Sequence, residues 1–144
     1  MMTGTVVTAG PEASVREVAE LMRERNVGSV VLVGDNGAPA GIVTDRDLVV
    51  GALADGRDPA DHAADHGSAP VVTGRLDMDV REAADLMVRH AIRRLPILDG
   101  DRLTGIVTLD DLVVRTGDVE LTHSVTTELM RASLPDFYFL DRDG

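Results

Sequence analysis

Two Thr-x-x-Asp motifs are the residues of this chain best suited to hold a small molecule. Thr44 and Asp47 form the first motif, Thr108 and Asp111 form the second, and each follows Gly-Ile-Val. Each motif is predicted to lie where a strand turns into a helix, and an exposed helix N-terminus offers unpaired N–H groups that suit a phosphate. The Thr hydroxyl adds a donor, and a carboxylate three residues later can accept hydrogen bonds from both hydroxyls of a ribose. The predicted chemistry is therefore recognition of an anion-bearing small molecule.

The same motif has a second interpretation that involves no ligand. Thr-x-x-Asp is also a capping box, which stabilises a helix start by reciprocal hydrogen bonds between side chain and backbone. A single isolated copy would favour capping alone. Because two copies follow identical Gly-Ile-Val strands, the sequence supports ligand binding and pure capping about equally. A single Thr can also cap the helix and contact a ligand at the same time. The two interpretations stay open at this stage.

Two neighbouring arginines could complete an anion site in the second copy of the pattern. Arg93 and Arg94 lead into an apolar strand, where the first copy has Gly28 and Ser29. Guanidinium groups match phosphate oxygens, so the pair could clamp a phosphate; the alternative is a surface ion pair with neighbouring Asp. The difference between the copies predicts two sites of unequal affinity.

Charges beside the helix starts bear on which anion would bind. Arg46 is a third candidate ligand residue, next to the first motif. Asp45 and Asp110 place negative charge beside both helix starts. This charge favours ligands with few phosphates over ATP, unless Mg²⁺ accompanies the ligand.

An internal repeat must position these residues. Residues 41–50 and 105–114 are identical at eight of ten positions, and a similar correspondence relates residues 15–22 to 80–87. A duplicated unit usually packs against its copy, so the repeat predicts two similar units that share one core. Each unit, at about 50 residues, would be marginally stable alone.

Each repeat is predicted to run strand, helix, strand, strand, helix. Apolar residues at 3.6-residue spacing predict helices after Ser14 and Asp79, with capping boxes completed by Glu17 and Glu82. Strands are predicted at 5–8, 29–33, 40–43, 71–73, 95–98 and 103–107, and further helices at 45–53, 110–115 and 119–132. The almost wholly apolar strands 29–33 and 95–98 indicate a sheet covered by helices. The pattern predicts an α/β fold.

The composition excludes several classes of protein. The 144 residues carry a formal net charge of −11 and no cysteine, which disfavours nucleic-acid partners and excludes disulfides and thiolate metal sites. No apolar run is long enough to cross a membrane, and a cytoplasmic bacterial protein is expected. We find no Ser-His-Asp set, P-loop or paired catalytic carboxylates, so no enzyme is expected. His62 and His66, with Asp61 and Asp65, could bind a metal if they lay on a helix, but the favoured interpretation is a solvated linker, and no metal site is expected.

The strand, capped helix and Gly-Ile-Val-Thr-x-x-Asp-Leu of each repeat resemble a CBS domain, and the two repeats together resemble a CBS pair, or Bateman module. The segment 92–97, Ile-Arg-Arg-Leu-Pro-Ile, is also typical of a second repeat in this family. The resemblance implies two tandem β-α-β-β-α repeats packed about a pseudo-twofold axis. It also implies pairing of modules into homodimers, and two interface clefts that bind AMP, ADP, ATP, S-adenosylmethionine or NAD as regulatory ligands, with no required cofactor.

The resemblance also implies roles for particular residues. Thr44 and Thr108 would face the phosphate, and Asp47 and Asp111 would hold the ribose. Arg93 and Arg94 would reach ligand phosphates across the repeat interface. The adenine would need a flat apolar slot beside the strands. The candidates for this slot are Thr8, Thr73 and Pro96, together with Val7, Val31, Val72 and Leu95.

The expected organisation is repeat one at 1–56, a linker at 57–69, repeat two at 70–117 and a tail at 118–144. The tail is expected to be a helix followed by the aromatic run Phe137-Tyr138-Phe139, which either covers its own module or clasps a second copy. The favoured function is a stand-alone, non-catalytic sensor that binds an adenosine-containing ligand and alters association with an unidentified protein partner. The alternative is a structural or protein-interaction module whose clefts stay empty.

Overall fold

The computed structural model describes residues 6–69 and 71–116, together with the single residues 120 and 123. Its elements are β1 (Thr8–Ala9), α1 (Val15–Arg25), β2 (Ser29–Val33), β3 (Pro39–Thr44), a π-helix (Asp47–Leu53), a 3-10 turn (Ala63–His66), β4 (Gly74–Arg75), α2 (Val80–His90), β5 (Arg94–Asp99), β6 (Arg102–Thr108) and α3 (Leu109–Thr116). This order confirms the predicted pair of βαββα units. The predicted helix 119–132 and the aromatic run 137–139 lie outside the described residues.

Each unit forms a three-stranded sheet with the same topology. The first strand runs parallel to the central strand, which pairs antiparallel with the third, in the orders β1-β2-β3 and β4-β5-β6. The registers also correspond, because Ser29 pairs with Thr44 and Arg94 pairs with Thr108. Both Thr residues therefore end a strand, next to the first residue of the central strand.

Capping boxes start the two long helices, as predicted. The Ser14 hydroxyl accepts from the Glu17 N–H at 3.1 Å, and the Asp79 carboxylate accepts from the Glu82 N–H at 2.9 Å. Each helix turns its apolar stripe onto its own sheet. The resulting cores centre on Val18 in the first unit and on Met87 in the second, and both side chains are fully buried.

The opposite face of each central strand is buried as well. Side chains alternate between the two faces of a strand, and Val31 and Pro96 lie between residues that belong to the helix-facing cores. Val31 and Pro96 are nevertheless almost completely buried. Their side chains therefore point away from their own helices, toward the interface between the two units.

The first strand of the second unit lies later than the sequence predicts. Residues 71–73 form no strand, and β4 pairs instead through Gly74 and Arg75 with Ile97 and Leu98. The β-branched residues 71–73 favour a strand by propensity. In the first unit, however, the N–H of Val31 donates to the Val7 carbonyl at 3.1 Å, and Pro96, which corresponds to Val31, has no N–H to donate. Pairing in the second unit therefore begins one residue later, at Gly74.

Residues 57–69 are not a simple solvated linker. The N–H of Val15 donates to the Asp61 carbonyl, and the N–H of Ala63 donates to the Ala13 carbonyl, both at 2.9 Å. Further along, Ser68 and Ile42 exchange two backbone hydrogen bonds, of 2.9 and 3.2 Å. The Ala63 side chain is fully buried. This segment therefore packs along the first unit and forms a single bridge to β3, between Ser68 and Ile42.

Candidate functional site

Both Thr-x-x-Asp motifs form reciprocal hydrogen bonds at the start of a helix. The Thr44 hydroxyl accepts from the Asp47 N–H at 3.1 Å, and the Asp47 Oδ2 accepts from the Thr44 N–H at 2.9 Å. The second motif repeats this geometry at 3.1 and 3.0 Å between Thr108 and Asp111. Capping is therefore present in both copies. It engages one carboxylate oxygen of Asp47, which still has a second oxygen with which to accept from a ligand.

The first motif opens into a cleft of about 320 Å³ between the two units, which we call cleft A. The first unit contributes Ile42, Thr44, Asp45, Arg46 and Asp47, and the following segment contributes Ser68. The second unit contributes Val71, Val72, Ala91, Ile92, Arg93, Arg94 and Pro96. The structure thus brings together, across the repeat interface, seven residues that the sequence analysis named for the ligand or its adenine slot: Thr44, Arg46, Asp47, Val72, Arg93, Arg94 and Pro96.

A smaller cleft of about 200 Å³, cleft B, lies at the corresponding place on the other side of the repeat. Its lining residues are Val6, Val7, Val27, Gly28, Ser29, Val31, Arg94, Ile106 and Thr108. Most of them correspond in the repeat to residues that line cleft A. Thr108 is therefore placed as predicted, whereas Asp111 is not among the residues that line cleft B.

The two clefts differ in size and in how many charged side chains line them. Cleft A is lined by Asp45, Arg46, Asp47, Arg93 and Arg94, whereas Arg94 is the one charged residue among the described residues that line cleft B. Small-molecule sites usually measure about 300 to 1,000 Å³. Cleft A falls in that range, and cleft B falls below it. The predicted difference in affinity between the two sites stays a prediction.

Two predicted ligand residues, Thr8 and Thr73, line neither cleft. In both units the chain passes the cleft one or two residues earlier, so that Val6 and Val7 line cleft B and Val71 and Val72 line cleft A. The strand that follows then carries Thr8 into its pairing with Val31. The sequence analysis placed these contacts too late in the chain.

Other residues depart from the expected slot or were missed. Leu95 is fully buried in the core of the second unit and does not line a cleft. Ser68 was missed because its segment reads as a polar linker, and only its pairing with Ile42 brings it to cleft A.

In the described part of the chain, no three His, Asp or Glu side chains are grouped to hold a metal ion. No helix within residues 6–69 and 71–116 has the length and apolar character of a membrane span.

Comparison with known proteins identifies the same two repeats that the structure shows. The model of the CBS domain family matches residues 1–52 and 63–116. The CBS domain-containing protein YhcV of Bacillus subtilis is 37% identical over 133 residues, which cover 92% of this chain and 94% of YhcV. An uncharacterized protein of Methanopyrus kandleri is 46% identical over 110 residues, or 75% of this chain, but the match spans only 56% of that relative.

A solved structure shows the same architecture. A CBS domain protein from Pyrobaculum aerophilum, in complex with AMP, superimposes with a TM-score of 0.76 at 25% sequence identity. The superposition covers 85% of this chain and 95% of that protein. The two segments that match the family model are the two repeats of the sequence. Each repeat forms one βαββα unit, and the two clefts lie at the interface between the units. The chain belongs to the CBS domain family, and its two copies form a tandem CBS pair.

Proposed function

We propose that this CBS pair is a ligand-sensing module that binds an adenosine monophosphate-type ligand in cleft A. The observation that carries the proposal is the meeting of Thr44 and Asp47 from one unit with Arg93 and Arg94 from the other in a single cleft. A ribose acceptor and phosphate donors thus share a cleft of suitable volume. The AMP complex of the Pyrobaculum relative supports the same ligand class.

Each group of the ligand has a partner in cleft A under this proposal. The Asp47 carboxylate accepts from the ribose hydroxyls, because ionised acceptors make strong hydrogen bonds. The phosphate lies beside the Thr44 hydroxyl, with the guanidinium groups of Arg93 and Arg94 opposite. The backbone N–H groups of residues 44–47 already donate within the protein, so the side chains must supply the phosphate's donors. Pro96 and Val72 supply an apolar surface for the base. The Asp45 carboxylate, also in the wall, opposes additional phosphates, which favours AMP over ADP and ATP.

The proposed role is regulatory and non-catalytic. Cleft A is built from both units, so a bound ligand contacts both and favours the arrangement in which its contacts are best. A protein partner that recognises this arrangement would then associate more or less tightly. The protein partner and the use of S-adenosylmethionine or NAD instead of AMP stay predictions, as does the cytoplasmic location, which was predicted from the composition.

Thermal unfolding with AMP, ADP, ATP, S-adenosylmethionine and NAD in turn tests the proposal. A ligand present at ten times its dissociation constant should add about 1.4 kcal/mol to the free energy of unfolding. We expect AMP to raise the melting temperature at the lowest concentration of the five. No shift with any of them would contradict the proposal and favour a module with empty clefts.

A second, compatible function is self-association through the π-helix. Val49, Val50 and Leu53 are 56%, 51% and 75% exposed and lie close together on this helix. A cluster of exposed aliphatic side chains on one helix commonly marks an interface. We propose a homodimer as the assembly.

Leu53→Asp tests this assembly. The substitution places a charge in the apolar patch, and we expect it to convert the dimer to a monomer in analytical ultracentrifugation. Leu76→Asp is the matched control, because Leu76 is 50% exposed but lies on the second unit next to β4. A monomeric wild-type chain, or equal masses for wild type and Leu53→Asp, would rule out this interface.

A further inference from the structure

Arg94 lines both clefts. Its backbone pairs with Thr108, next to the helix start of cleft B. Its side chain extends toward the first unit, where a Cβ placed on Gly28 would lie 3.2 Å from Arg94 Nη2. The same point lies 3.2 Å from the Asp45 Oδ2. The guanidinium and the Asp45 carboxylate therefore face one small space where the clefts meet.

The first unit leaves room for the Arg94 guanidinium beside this space and adds no second cation there. Gly28 has no side chain to fill it, and its carbonyl accepts from the Asp45 N–H at 3.0 Å, which holds the aspartate beside it. The position in the first unit that corresponds to Arg94 is Ser29. Serine carries no charge, so the first unit supplies no cation that matches Arg94. The repeat therefore has one central cation at this position instead of a symmetric pair.

We propose that Arg94 couples the two clefts, so that a phosphorylated ligand in cleft A weakens the binding of a second one in cleft B. This inference rests on the proposed binding of AMP in cleft A. A phosphate in cleft A attracts the guanidinium into a charge-assisted hydrogen bond, which removes it from cleft B. The two phosphates would also lie within a Debye length of each other, where like charges repel. Each chain then carries one ligand over a wide range of concentration.

Calorimetric titration with AMP tests the coupling. The affinity of cleft B alone is measured in Asp47→Ala, which disables cleft A, and is compared with the second binding step of the wild type. We expect the second step to be about 10-fold weaker than cleft B alone, within the usual range of coupling between sites. Arg93→Gln, which weakens cleft A without removing a capping bond, serves if Asp47→Ala does not fold.

Arg94→Gln provides the decisive comparison, because it removes the charge and keeps most of the side-chain length. In this background we expect cleft B to bind AMP with nearly the same affinity whether cleft A is disabled or filled. If the second binding step of the wild type has the same affinity as cleft B in Asp47→Ala, the coupling is overturned and the proposed function stands. Failure of Asp47→Ala and Arg93→Gln to bind AMP, while the wild type binds one equivalent, would also overturn it. Absence of AMP binding by the wild type would overturn both proposals.

Discussion

Gly67→Ala is expected to lower the free energy of unfolding by about 3 kcal/mol, although it adds a single methyl group. A Cβ at this position would lie 2.6 Å from the Ile42 carbonyl oxygen and 2.9 Å from Val43 Cγ2. The nearest atom belongs to the backbone of β3, which cannot move without disturbing its pairing with β2. Gly67 has a φ of −90°, so the requirement for glycine comes from space and not from backbone conformation.

The clash acts on the hydrogen bonds that hold the segment after the 3-10 turn. Ser68, the next residue, exchanges two backbone hydrogen bonds with Ile42. Moving Ser68 away from β3 would lose both, at about 0.5 to 1.5 kcal/mol each, and overpacking costs about 1 to 3 kcal/mol. The same displacement moves Ser68 out of the wall of cleft A. We therefore also expect Gly67→Ala to weaken AMP binding.

Urea denaturation of purified wild type and variant measures the effect. Gly10→Ala is the matched control, since a Cβ on Gly10 would have no atom within 4 Å, and we expect its midpoint to stay close to that of the wild type. If Gly67→Ala and Gly10→Ala unfold at the same urea concentration, residues 57–69 do not pack against β3 as described.

Asp47→Ala is expected to weaken AMP binding in cleft A about 100-fold, as measured by isothermal titration calorimetry. A hydrogen bond to a charged group contributes about 1.5 to 3 kcal/mol, and Asp47 would accept from the ribose in cleft A. A loss of about 2.7 kcal/mol corresponds to a 100-fold change in the dissociation constant. The helix start itself should persist, because the Thr44 hydroxyl still accepts from the N–H of residue 47.

Asp79→Ala separates loss of capping from loss of a ligand contact. Asp79 caps α2 through a 2.9 Å bond from the Glu82 N–H and lines neither cleft. Each variant should lose about 1 kcal/mol of stability, the usual value of a cap, but only Asp47→Ala should lose AMP affinity. Equal affinities for AMP in the two variants would show that Asp47 acts as a helix cap alone.

Much of the fold could be predicted because its signals are local or duplicated. The repeat of residues 41–50 at 105–114 predicted two equivalent units, and the periodicity after Ser14 and Asp79 predicted the two long helices. Prediction was poorest where one residue had to fit a distant neighbour. β4 begins at Gly74 and not at residues 71–73, because Pro96 has no N–H with which to repeat the bond that Val31 donates to the Val7 carbonyl in the first unit.

The sequence alone determined the two helix starts of the candidate site. Thr44 with Asp47, and Thr108 with Asp111, interact over three residues of chain, and such contacts depend on local spacing. Only the tertiary structure decided which residues meet across the two units. The reach of Arg94 toward Gly28, and the return of Ser68 to Ile42, join residues more than 20 positions apart. Such meetings depend on how two sheets and a connecting segment pack together, which no spacing along the chain encodes.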